Sequence, residues 1–162
     1  MKKFFIIISI VVALIMPAII VVKHIQFSQD CSGYLKQAAD ANSVELAIDR
    51  LNIAIDYIEE NNLTSGYTSV IYKTEDENVG FWYKNIVTCR DELISCVNGS
   101  QFEQTNTLMK VRESLIDNGE RGDTLTVPSG ISRYPNNLGY AIFLIMGFIL
   151  GPIIFILSSS KF

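Results

Sequence analysis

Cysteines, one histidine and clustered carboxylates are the side chains in this sequence whose types could do chemistry. Cys31, Cys89 and Cys96 are an odd number, so a complete disulfide framework within one chain is impossible. Cys89 and Cys96 are seven residues apart. On a helix that spacing puts them on one face about 10 Å apart along the axis, beyond the Cα separation a disulfide tolerates. Cys31 paired with either remains open; the simpler reading makes all three small buried hydrophobes. No cysteine spacing matches a zinc site. His24, the single histidine, stands at the end of an apolar run with no nucleophile motif beside it. Glu59-Glu60 and Asp91-Glu92 read as solvated helix faces. The run Glu75-Asp76-Glu77 lacks the alternating ligands and terminal Glu of an EF-hand loop, but negative charge there suits the start of a following helix. Neither a Gly-rich phosphate loop nor a HExxH pair is present. The sequence therefore offers no catalytic, cofactor-binding or metal-binding residue and predicts a non-enzymatic protein.

The elements that would position these groups begin with two uncharged apolar runs, residues 4–22 and 138–157, of nineteen and twenty residues. As helices these have the length that about 30 Å of hydrocarbon requires, so the expected fold is all-α: a two-span transmembrane helical hairpin carrying a small helical bundle. The corresponding division is a cytoplasmic N-terminus at 1–3, a first transmembrane helix at 4–22, an extracytoplasmic helical domain at 23–119, a return loop at 120–137, a second transmembrane helix at 138–157 and a cytoplasmic C-terminus at 158–162. A cleaved signal peptide fits the first run less well than an uncleaved signal anchor, because the run is long and bulky residues follow it at Val21-Val22-Lys23. Lys2 and Lys3 favour a cytoplasmic N-terminus. The expected location is accordingly a bacterial inner (plasma) membrane, with both termini cytoplasmic. All seventeen carboxylates lie between the runs, against ten of the thirteen Lys/Arg, a net of −7 for that segment. Such an acidic segment excludes nucleic acid as a natural partner, since phosphates demand basic stripes.

Periodicity predicts three or four helices between the runs. Ile25, Ser28, Cys31, Leu35 and Ala38 extend the first helix outward past Gly33. Asn42 with Glu45 reads as a capping box opening a helix with Val44, Ala47, Ile48, Leu51, Ala54, Ile55 and Ile58 on one face, ended by Glu59 to Asn62. Residues 63–78 read as a connection with an extended piece at 67–73. Val79, Trp82, Ile86, Cys89, Leu93 and Cys96 then keep helical register. Ser100 and Glu103 form a second capping box, for a helix with Phe102, Leu108, Met109, Arg112, Leu115 and Ile116 inward and Gly119 at its C-terminal cap. Residues 120–137 return the chain, with Tyr134 and Tyr140 as interfacial aromatics.

Small residues mark the apolar runs: Ser9, Ala13 and Pro17 every four positions in the first, Gly147 and Gly151 as GxxxG in the second. Such stripes let helices approach closely, and Ser9, Ala13, Gly147 and Gly151 are the candidate helix-packing residues. Pro17 and Pro152 are candidate kinks. The absence of ionisable groups from either run argues against a transporter, and a two-span homo-oligomeric channel would have an apolar pore. Phe81 and Tyr83 fall off the Trp82 stripe and are candidate partner contacts. The expected function is an accessory or assembly subunit acting through its helical domain and membrane helices, with a membrane protein or a second copy as partner and the lipid bilayer as surroundings. The alternative is a sensory or exclusion module. In arrangement alone, two spans around an extracytoplasmic helical domain, the layout resembles chemoreceptor-type sensors, which implies ligand binding read out through a partner's helices.

Overall fold

The computed structural model describes residues 2–119 and 122–159, with side chains described for 14–117, 122–147 and 149. Helix α1, Lys2–Phe27, does not stop where its apolar run ends: it passes through a π-helical turn, Ser28–Ser32, into α2, Gly33–Ala39. The Gly33 N–H donates to the Ser28 carbonyl, five residues back, which is the bond that defines the wider turn. A Cβ at position 33 would lie 3.2 Å from that same carbonyl oxygen, so glycine fits the turn without crowding. Among the described residues this long helix buries Phe27, Cys31, Leu35, Ala38 and Ala39, while Ile25 and Ser28 face outward.

Helix α3, Val44–Glu60, starts one residue later than the capping-box reading placed it. Ser43 adopts the extended conformation and its side chain accepts from the Leu46 N–H at 3.3 Å, so serine rather than Asn42 is the cap. Its end is a Schellman arrangement: Asn62 sits at φ 57°, its N–H donates to the Glu59 carbonyl, and the Leu63 N–H donates to the Ile58 carbonyl. Leu63 is thereby folded back into the core. Helix α4, Val79–Cys96, is capped by Asn78 Oδ1, which accepts from the Phe81 N–H at 3.0 Å. Helix α5, Gln101–Leu115, has the predicted Ser100–Glu103 capping box in both directions.

These helices close into a four-membered bundle, α2 on α3, α3 on α4, α4 on α5, and α5 back on α2. Its centre is Leu35, Leu51, Ile58, Ile86, Leu93 and Val111, each under 2% exposed. Helix α6, Asn137–Ser159, follows a short 3-10 turn at Ile131–Arg133 that packs on α1.

Four expectations need correction. Among the described residues no helix is long and apolar enough to cross a membrane. The two-span transmembrane hairpin, the signal anchor and the integral inner-membrane location therefore do not stand. Second, the chain is not purely helical: α5 ends at Leu115, and β1, Ile116–Gly119, pairs antiparallel with β2, Gly122–Leu125, so Gly119 belongs to a hairpin and not to a helix cap. Third, the inner face of α5 is Val111 and Leu115 with Leu108 beside them, whereas Phe102, Met109 and Arg112 are exposed. Leu108, Val111 and Leu115 keep the three-four step of one face; Phe102 and Met109 lie on the opposite side, and Arg112 borders the inner face with its guanidinium directed to Asp40 and Asp123. Fourth, Tyr140 is buried and the Tyr134 hydroxyl donates to the Ser65 carbonyl at 2.6 Å, so both tyrosines fasten the returning chain to the domain.

All three cysteines are free thiols; Cys31 and Cys89 are buried. Burial pushes the Cys31 thiol from 9.0 up to about 12, and also raises Cys89 and the Tyr57 hydroxyl. In the folded protein a thiol reagent should modify half-buried Cys96 first, with Cys31 and Cys89 reacting only on unfolding; rapid native labelling of all three would contradict this packing. Because these groups titrate higher when folded, their stabilising contribution is complete below pH 9.0 and is lost as pH rises toward about 12. The urea midpoint should therefore fall across that window, and fall less steeply in Cys31→Ala. Gly66 occupies φ 93° with its missing Cβ directed at the Tyr134 hydroxyl. Gly66→Ala should cost about 1–3 kcal/mol from backbone strain alone, read as a lower urea midpoint with unchanged slope.

Candidate docking groove

Before α4 the chain makes a 3-10 turn, Glu75–Glu77, whose three carboxylates precede a helix N-terminus where negative charge is favoured. The turn is held from several sides. Asn78 Nδ2 donates to Glu75 Oε2 at 3.2 Å, the Tyr67 hydroxyl donates to Glu75 Oε1 at 3.5 Å, and the Thr74 hydroxyl donates to Glu77 Oε2 at 3.0 Å. Backbone bonds from Val79 N–H to the Gly66 carbonyl and from Thr68 N–H to the Glu77 carbonyl lock the preceding loop against it. The Lys73 ammonium lies 5.4 Å from the Tyr67 ring centre.

Across from this turn the β1–β2 hairpin continues into Thr126, Val127 and Pro128, and the two walls enclose a groove of about 350 Å³. Glu75, Asp76 and Asp117 supply its charge; among the described residues no Lys or Arg lines it. Phe81 stands at the groove with 69% of its surface exposed, and Trp82 behind it is 6% exposed. The Trp82 indole N–H has no hydrogen-bond partner among the described residues. An aromatic shelf beside three carboxylates can hold a cation by charge and by the ring face, and can seat an apolar side chain next to it.

Tyr83, paired with Phe81 in the sequence reading, is placed differently. Its hydroxyl donates to Glu59 Oε1 at 2.6 Å, tying α4 to α3, and its ring packs against the core. That hydrogen bond, with some desolvation and the Glu59 charge, raises the Tyr83 pKa. Of the helix-packing residues, Gly147 is exposed, and a Cβ built there would meet nothing within 4 Å. Ser9, Ala13 and Gly151 lie outside the residues whose side chains are described. His24 is exposed on α1. No group of three or more His, Cys, Asp or Glu among the described residues is arranged to hold a metal ion.

The sequence singles out Phe81 and reads Glu75-Asp76-Glu77 as charge at a helix start and Thr124 to Val127 as a strand-like run, but it does not bring them together, and it carries α5 through to Gly119, past Asp117. The signal was available in Asp117-Asn118-Gly119, a turn-forming series that suits a hairpin better than a helix end. Comparison with known proteins supplies no relative from which a role could be carried over: no family model, no curated protein and no solved structure matches this chain.

Proposed function

We propose that this chain is a non-enzymatic docking protein, an accessory or assembly subunit whose groove beside Phe81 receives a segment of a partner protein carrying Lys or Arg next to an apolar anchor. The observation that carries this reading is Phe81, largely exposed at a groove whose described charged residues are all carboxylates. Charge complementarity selects the partner's sign: the chain as a whole has a net charge of −4. Complementary charge speeds and orients association, while a central aromatic anchor supplies most of the binding free energy. The same surface is a poor candidate for nucleic acid, which its carboxylates would repel.

The thiols favour docking over catalysis. A catalytic cysteine needs a lowered pKa and a nearby base, yet Cys31 is pushed the other way by burial and His24 is exposed on α1. Exposed apolar side chains on α1 and α6, among them Leu14, Ile19, Leu138 and Ile145, also favour a partner that covers them.

Purified at native expression, the protein should retain a partner in fixed stoichiometry, released as salt approaches about 0.5 M, where screening shortens to a few ångströms. Phe81→Ala should weaken the complex by about tenfold or more, and Asp117→Lys should weaken it further at low salt. A monodisperse, partner-free protein, or a complex indifferent to both substitutions, would refute the groove as the docking site.

A further inference from the structure

Four buried side-chain polar atoms lack a hydrogen-bond partner among the described residues: Thr68 Oγ1, Ser69 Oγ, Trp82 Nε1 and Asn137 Oδ1. Three of these four side chains, Thr68, Ser69 and Asn137, line one cavity of about 220 Å³. It lies apart from the aromatic shelf, where the loop after α3, the turn at 129–133 and the first turn of α6 meet. Unpaired buried polar atoms cost free energy individually, and three around one space mark it as a place for a polar occupant.

The orientation of Asn137 is fixed by its own amide. Nδ2 donates to the Thr68 carbonyl at 2.5 Å and to the Gly130 carbonyl at 3.3 Å, so Oδ1 is left as an acceptor. Gly130 holds φ 77°, and a Cβ there would be 3.2 Å from Arg133 Nη2, which places the guanidinium close over this turn. Arg133 and Glu77 both line the cavity, yet they make no ion pair with each other. Glu77 Oε2 already accepts from the Thr74 hydroxyl, which leaves Oε1 for another donor. Val70 and Leu144 add apolar surface to the lining.

The cavity thus presents a cation with two hydroxyl donors, an anion with an amide acceptor, and an apolar wall. We propose that it binds a free α-amino acid with a small or medium apolar side chain. The ligand carboxylate meets Arg133 and the hydroxyls of Thr68 and Ser69; the ammonium meets Glu77 and Asn137 Oδ1; the side chain lies on Val70 and Leu144. A simple anion would satisfy Arg133 but face the Glu77 carboxylate, and water would satisfy the hydroxyls while leaving the two opposite charges unused. A zwitterion satisfies every group in the set. The proposal does not rest on the docking groove, because none of the residues it uses lines that groove.

The test is calorimetric titration of the full-length chain with L-valine, N-acetyl-L-valine, isovalerate and inorganic phosphate. L-Valine should bind, and the analogues without the ammonium should bind at least about tenfold more weakly, the loss expected for one charge-assisted hydrogen bond. Arg133→Gln and Glu77→Gln, both at partly exposed positions, should each reduce L-valine affinity by at least about tenfold while the Trp82 fluorescence of the folded protein is unchanged. Phosphate or isovalerate binding as tightly as L-valine would overturn the proposal in favour of a plain anion site. No heat from any of the four at about 10 mM, the weak end of useful affinities, would leave the cavity to water alone and equally overturn it.

Discussion

The apolar seam formed by Leu35, Leu51, Ile58, Ile86 and Leu93 is the constraint on which the other features depend. Each of these side chains comes from α2, α3 or α4, and truncating one to alanine would cost about 2–5 kcal/mol through lost transfer and a residual cavity. The surface ion pairs are of a different order. Lys110 with Glu92 and Arg112 with Asp40 and Asp123 are largely exposed, and such pairs contribute about 0–1 kcal/mol each. Arg112 nonetheless has a positional role, because it links the end of α2, the last turn of α5 and the second hairpin strand. The seam fixes where α4 begins, and the start of α4 fixes where the acidic turn stands.

That dependence explains which parts could be read from the residues alone. Helix α4 was legible because Val79, Trp82, Ile86, Cys89 and Leu93 repeat on a single face and all five are buried. The α5 cap was legible because Ser100 and Glu103 are local partners. The face of α5 was not: Phe102 and Met109 are hydrophobic yet exposed, and only contact with α2 and α4 decides that Val111 turns inward. That Asp117 and the strand-like run at 124–127 stand beside Phe81 was not legible for the same reason, since their meeting is made by tertiary packing. Thr68, Ser69 and Asn137 carry no sequence signal at all; Thr68 and Asn137, 69 positions apart, are bridged by one side-chain hydrogen bond. The apolar runs point the other way: unbroken hydropathy at 4–22 and 138–157 suggests two crossings, yet among the described residues no helix is long and apolar enough to make one.

Both candidate sites share a wall. Glu75 and Asp76 face the groove beside Phe81, and Glu77, the next residue in the same 3-10 turn, lines the cavity beside Asn137. Between them run the Thr68 N–H to Glu77 carbonyl bond and the Val79 N–H to Gly66 carbonyl bond. A turn this short has little freedom to adjust one carboxylate without moving its neighbours, because packed and hydrogen-bonded elements shift as units. An occupant drawing on Glu77 would therefore act on the backbone that presents Glu75 and Asp76. By reciprocity, a basic segment drawing on Glu75 and Asp76 would alter the affinity of the cavity by the same factor. The size of that coupling is set by how far the two occupants prefer different positions of the turn, and it vanishes if both accept the turn as it stands.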